Sequence, residues 1–112
     1  DEVSSSTWDL VHNGMESMVK NSSVFFKNGI AMGGKTGTAQ QSKVHPDHVL
    51  FAGMTADDPQ IAITVRIANG YSSNYAAEIG RDITKVYFDA NAAKDLITGK
   101  ASSLGKLVQE IK

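Results

Sequence analysis

The residues with the greatest chemical potential in this chain are consecutive: Gly33-Gly34-Lys35-Thr36-Gly37-Thr38-Ala39-Gln40. Two adjacent glycines let a ligand or another backbone approach the main chain closely, Lys35 supplies a point cation, and the hydroxyls of Thr36 and Thr38 flank a third glycine. A strand-like apolar run leads in. This is the composition of an anion site on a sheet edge, and the anion is either a phosphate or a carboxylate. The phosphate alternative has a literal basis, because Gly29-Ile30-Ala31-Met32-Gly33-Gly34-Lys35-Thr36 matches the pattern G-x-x-x-x-G-K-[ST]. That motif works between a strand and a helix whose N-terminal amides and dipole face the phosphates. Here Gly37-Thr38-Ala39-Gln40-Gln41-Ser42 follows, with no apolar periodicity. The next two elements read as strands joined by a short turn, where a nucleotide-binding unit needs crossover helices. No apolar strand ends in an Asp suited to magnesium. The strand setting favours a carboxylate.

Several elements must hold this stretch in place. Trp8, Val11, Met15, Met18 and Val19 recur at three- and four-residue steps, which predicts an amphipathic helix over residues 7–20, capped by Ser6 or Thr7 and weakened by Gly14. Val24-Phe25-Phe26 is a short apolar run before a Lys27-Asn28-Gly29 turn, and Ile30-Ala31-Met32 begins the strand that carries the lysine. A polar loop containing Pro46 separates it from a strand over residues 49–55. Asp57-Asp58-Pro59-Gln60 reads as a tight turn rather than a carboxylate pair. In the third strand Ile61, Ile63, Val65 and Ile67 share one face, as in an antiparallel sheet with one covered side. A second helix is expected over residues 75–90, capped by Ser73 or Asn74, with Ile79, Ile83, Val86, Tyr87 and Ala90 as its apolar face. Leu104, Leu107, Val108 and Ile111 suggest a short terminal helix. The fold class is α+β: three antiparallel strands covered by an N-terminal and a C-terminal helix, whose stripes could share one sheet face.

Composition narrows the function classes. At 112 residues the chain is one domain or a piece of one. With 11 basic and 12 acidic side chains the net charge is -1, which offers no basic stripe to a nucleic acid and no polybasic patch to a membrane. Cysteine is absent, which excludes thiol chemistry. No apolar run approaches the length that spans a bilayer, and the first residues lack a signal-peptide pattern, so the visible chain is expected to be soluble. If it is a fragment, an anchoring segment could lie upstream. His45-Pro46-Asp47-His48 could suggest a metal site, but neighbouring loop residues rarely converge on one ion, so no metal and no cofactor are expected.

Lys-Thr-Gly on a strand belongs to the signatures of serine β-lactamases and penicillin-binding proteins. The stretches Gly34-Lys35-Thr36-Gly37-Thr38-Ala39-Gln40, His48-Val49-Leu50-Phe51-Ala52-Gly53-Met54 and Asp57-Asp58-Pro59-Gln60-Ile61-Ala62-Ile63 together resemble the C-terminal part of penicillin-binding protein transpeptidases, most closely the monofunctional class B type. The resemblance spans about residues 8–89 and implies a partial β-lactamase/transpeptidase-like fold, with residues 1–91 as the C-terminal portion of a transpeptidase domain and 92–112 as a tail. It implies catalytic roles for Lys35, beside the nucleophilic serine, and for Thr38, whose backbone N–H would be half of the oxyanion hole. Thr36 and Thr38 would bind the substrate carboxylate, Gly37 would keep the edge bare for an acyl group, and Gln40 would line it further along.

Enzymes of this family also need S-x-x-K and S-x-N motifs upstream of Lys-Thr-Gly. Ser17-Met18-Val19-Lys20, Ser72-Ser73-Asn74 and Ser103-Leu104-Gly105-Lys106 match only in letters, the first at the end of a structural helix and the others in the wrong order. The resemblance therefore implies a fragment of a peptidoglycan D,D-transpeptidase without its nucleophile, expected to be inactive alone. The parent would sit at the extracytoplasmic face of the bacterial membrane, anchored there, with stem peptides, β-lactams and the remainder of the transpeptidase domain as partners. A β-lactamase or β-lactam sensor of the same fold, or a non-catalytic binding module, are the alternatives.

Overall fold

The structure, a computed structural model, describes residues 2–26 and 28–96. The terminal helix expected around Leu104 to Ile111 lies outside them. Helix α1 spans Ser5–Asn21, a single 3-10 turn covers Ser23–Phe25, and strands β1 (Met32–Ala39), β2 (His48–Thr55) and β3 (Ala62–Ile67) follow. Helix α2 (Ser73–Phe88) and the short α3 (Ala92–Leu96) complete the order. The three strands form one antiparallel sheet in sequence order, so among the described residues β1 and β3 are its edges. No helix among the described residues is long and apolar enough to cross a membrane.

Helix starts follow local capping chemistry, slightly earlier than periodicity alone places them. The Ser4 hydroxyl accepts the Thr7 N–H and begins α1, and the Ser72 hydroxyl accepts the Asn74 N–H and begins α2. β1 starts two residues later than the apolar Ile30-Ala31-Met32 run suggests, because a turn through Gly29 at φ +75 comes first. The run Val24-Phe25 supplies the buried side chains of the 3-10 turn.

The core is centred on Phe51, which is fully buried in β2. Strand alternation places Met32, Gly34, Thr36, Val49, Phe51, Gly53, Ile63, Val65 and Ile67 on one face, and α2 lies against it. The ring of Phe51 lies where Gly34, Gly53 and Gly80 have no side chain, and a Cβ at any of the three would come within 2.5–2.6 Å of it. Phe25 closes the remaining side, its ring centroid 5.6 Å from that of Phe51. Arg81 fastens α2 to the 3-10 turn by donating to the Val24 carbonyl at 2.6 Å, while its Nε pairs with Asp82.

Two expectations need correction here. The residues that α2 buries are Ala76, Ala77, Gly80 and Thr84, whereas Ile79, Ile83 and Tyr87 of the predicted apolar face are 42%, 51% and 55% exposed. The Phe51 ring needs a flat, small-residue surface, so the helix presents its small residues to the sheet. The helices also do not share one sheet face. A Cβ on Gly33 would meet Met15 Cβ of α1 at 3.2 Å, while one on the adjacent Gly34 would meet the Phe51 ring, so α1 approaches β1 from the side opposite α2. Only the end of α1 reaches the core, through Val19 and Met18, and Trp8 and Val11 remain about half exposed.

Candidate functional site

Lys35, Thr36, Gly37 and Thr38 all fall within β1, and Gln40 follows directly after its end at Ala39. The strand runs unbroken through the lysine and turns back antiparallel into β2, in the register Lys35↔Ala52, Thr36↔Phe51, Gly37↔Leu50 and Thr38↔Val49. No helix begins directly after Thr36, since β1 continues to Ala39 and leads into β2, so the strand-to-helix junction on which a phosphate loop depends is absent from this site. The letter match at residues 29–36 is coincidental.

The direction of the backbone groups follows from one hydrogen bond just before the strand. The Ala56 N–H donates to the Ala31 carbonyl at 3.0 Å, a pair in line with the register Met32↔Thr55. In an antiparallel ladder successive residues alternate between facing the partner strand and facing away. Residues 33, 35, 37 and 39 therefore turn their N–H and C=O toward β2, and Gly34, Thr36 and Thr38 turn theirs to the open edge. On the β3 side the Thr55 N–H bonds the Ile61 carbonyl at 3.1 Å, as the same alternation requires. Among the described residues no strand covers this edge.

The side chains divide by face. Thr36, half-buried, and Thr38, exposed, lie on the α2 face beyond Phe51 and Val49, while Lys35 and Gly37 lie on the opposite face. Lys35 is exposed and reaches round so that its Nζ donates to the Thr36 carbonyl at 2.6 Å, which brings the ammonium to the open edge. The strand thus presents one cation, three outward N–H groups and two hydroxyls along a few residues, the donor set that a carboxylate and an acyl oxygen would use.

The three glycines of the stretch serve different ends. Gly33 admits α1 and Gly34 admits the Phe51 ring. A Cβ on Gly37 would meet only Leu50 Cβ at 3.8 Å and Cδ1 at 3.9 Å, which is ordinary contact. No packing within the described chain requires glycine there, and its bare surface is available to something from outside.

These features coincide with a family match. A model of the penicillin binding protein transpeptidase domain matches residues 1–85. The chain belongs to the penicillin-binding protein transpeptidase family. Among solved structures, that of Pseudomonas aeruginosa PBP2 in complex with WCK 5153 is similar, with a TM-score of 0.61 and 34% identity over 73% of this chain. The alignment covers 19% of that protein, so the penicillin-binding protein chain described here spans about a fifth of its relative's length. No curated protein sequence matches the chain.

Within this transpeptidase portion the remaining motifs have local explanations. Ser72-Ser73-Asn74 is the cap of α2, with the Ser72 hydroxyl occupied by the Asn74 N–H. Ser17 lies in the last part of α1, and the Asn21 side-chain amide donates to both its carbonyl at 2.8 Å and its hydroxyl at 3.3 Å. Ser103 is outside the described residues. Asp58 serves the turn, its carboxylate accepting from the Gln60 side chain at 2.7 Å. Both ring nitrogens of His48 are engaged in hydrogen bonds, to the Asn69 N–H and to Gln41.

Sequence reasoning missed two organising residues. Thr55 is only 3% exposed, and its hydroxyl accepts the Gln60 N–H at 2.8 Å and donates to the Asp58 carbonyl at 3.0 Å, closing the β2–β3 turn. Thr84 is fully buried and returns its hydroxyl to the Gly80 carbonyl at 2.8 Å. A threonine ending a strand before Asp-Asp-Pro was the available signal for the first. Nothing in the periodicity marked the second.

Proposed function

We propose that the open edge of β1 is one wall of a D,D-transpeptidase active site that cross-links peptidoglycan by acyl transfer. The observation that carries this reading is the row of outward backbone groups on Gly34, Thr36 and Thr38 with the Lys35 ammonium beside it. The Thr38 N–H donates to the acyl carbonyl oxygen and stabilises the negative charge that builds on it as the tetrahedral intermediate forms. Thr36 and Thr38 hydroxyls hold the carboxylate of a stem peptide ending in D-Ala-D-Ala, or of a β-lactam. Gly37 lets the acyl chain lie flat, and Gln40 extends the edge. Lys35 attracts the carboxylate and assists proton transfer at the serine.

The acylated serine comes from another part of the parent fold. None of the described serines is set beside the Lys35 ammonium by a hydrogen bond, and Ser17 and Ser72 are committed to helix ends. Without that nucleophile the chain forms no acyl-enzyme. The parent works at the extracytoplasmic face of the membrane, joined to the rest of its transpeptidase domain. Incubation of the chain with a fluorescent penicillin, followed by intact mass measurement, tests this: no mass increase is expected, and a stoichiometric adduct on Ser17 or Ser103 overturns the assignment of the nucleophile.

A further inference from the structure

Beyond the last residue of β1, the chain is held by an imidazole that the site reading does not use. His48 opens β2, opposite Ala39, where the candidate edge ends. Its Nδ1 accepts the backbone N–H of Asn69 at 3.2 Å. A backbone amide can only donate, so Nδ1 carries no proton and Nε2 carries the ring hydrogen. Nε2 in turn meets the Gln41 side-chain oxygen, an acceptor, in a short contact. One ring thus joins three segments: the start of β2, the loop that follows β1, and the loop between β3 and α2.

The third segment is under local constraint. Asn69 and Tyr71 have φ of 54° and 62°, the left-handed region, which asparagine tolerates and a bulky aromatic such as Tyr71 rarely occupies. Gly70 between them donates its N–H to the Asp47 carbonyl at 2.9 Å, and a Cβ there would come within 2.4 Å of Val49 Cγ2. The loop is pressed against β2, and the side chain that accepts the Asn69 amide is His48. Charged and titratable groups near the ring are few: Lys43, His45 and Asp47 lie in its own loop, Arg66 of β3 shares its sheet face diagonally, and Tyr71 is in the third segment.

We propose that His48 is a positioning residue for the β1 edge: in its Nε2–H form it clamps Gln41 to the Asn69 loop, and protonation at Nδ1 opens the clamp. The protonated ring presents a donor to the Asn69 donor, so that bond is lost while Nε2–H still faces Gln41. Gln41 directly follows Gln40, and Ala39 pairs with His48 itself, so the clamp fixes where the outer end of the edge lies. Its bearing on substrate rests on the transpeptidase reading above, but the clamp is tested without any ligand.

The test is nitrogen-15 NMR of the whole chain from about pH 8 to about pH 5, in which the protonation state of each His48 ring nitrogen is read directly. The expected results are an Nε2–H tautomer for His48 at the upper pH, and Asn69, Gln41 and Ala39 amide resonances that move with the His48 titration. The Asn69 exchange rate, taken relative to the intrinsic amide rate at each pH, should rise about fivefold on protonation, the factor that one modest hydrogen bond supplies. His45→Gln should leave this step in place and His48→Gln should remove it. An Nδ1–H tautomer, or an Asn69 amide that does not follow the His48 titration in the wild-type chain, would overturn the proposal. Neither result depends on His48→Gln folding, and neither touches the assignment of Lys35 and Thr38.

Discussion

Gly14 and Gly80 both sit inside long helices, yet alanine should have opposite effects at the two positions. In α1 nothing lies within 4 Å of a Cβ built on Gly14, so Gly14→Ala gains helix propensity alone. That gain is roughly 0.5–1 kcal/mol. In α2 the same propensity gain is set against a Cβ placed 2.5 Å from Phe51 Cδ1 and 2.6 Å from Cε1. The ring cannot retreat, because Gly34 and Gly53 are occupied by its other edge and Phe51 is 0% exposed. Forcing a methyl into such a core typically costs about 1–3 kcal/mol. Gly80→Ala therefore lies between neutral and about 2.5 kcal/mol destabilising, and its difference from Gly14→Ala isolates the packing cost of about 1–3 kcal/mol. Urea unfolding of the two variants at equal m-values measures that difference directly. In a Phe51→Leu background the Gly80→Ala penalty should shrink, since the two residues share the contact. Equal stabilisation by both alanines would refute the seating of Phe51 on α2.

Further expectations concern the turn, the cap and the site strand. Thr55→Val should destabilise by about 0.5–1.5 kcal/mol in urea unfolding, because the Gln60 N–H loses its protein acceptor; a neutral result would mean the β2–β3 turn does not rely on it. Ser72→Ala should cost about 1 kcal/mol as a lost helix cap and leave ligand-induced amide shifts at β1 unchanged, whereas loss of those shifts would point to a site role for Ser72. Gly37→Ala should fold with stability within about 0.5 kcal/mol of the parent chain yet weaken binding of a D-Ala-D-Ala peptide; unchanged binding would remove the argument for a bare edge.

Much of the architecture was legible because it rests on short-range rules. Alternation in Ile61 to Ile67 identified β3 and its covered face, and the glycine-rich run with Lys35 marked the edge strand. The helix faces were misread because apolar periodicity records which side chains avoid water, not which element covers them. In α2 the sheet takes Ala76, Ala77, Gly80 and Thr84, while Ile79, Ile83 and Tyr87 are left uncovered by the described residues. That choice is dictated by the Phe51 ring with Gly53 beside it and Gly34 and Gly80 far from it in sequence, a long-range fit that no local window contains. For the site, residue types were legible but direction was not. Whether the Thr38 N–H faces β2 or the open edge depends on ladder parity, set by the Ala31 to Ala56 pair. The His48 clamp was hidden for the same reason, since its partners Gln41 and Asn69 lie in two different loops.

The most direct test of the central claim is an amide NMR titration of the chain with a peptide ending in D-Ala-D-Ala, repeated with Lys35→Met. The resonances of Thr36, Gly37, Thr38 and Gln40 are expected to move together, Lys35→Met to weaken the response, and ATP with magnesium to produce no comparable shifts. Movement confined to other residues, or a stronger response of the same strand to the nucleotide, would contradict the assignment of the β1 edge to a carboxylate-bearing acyl substrate.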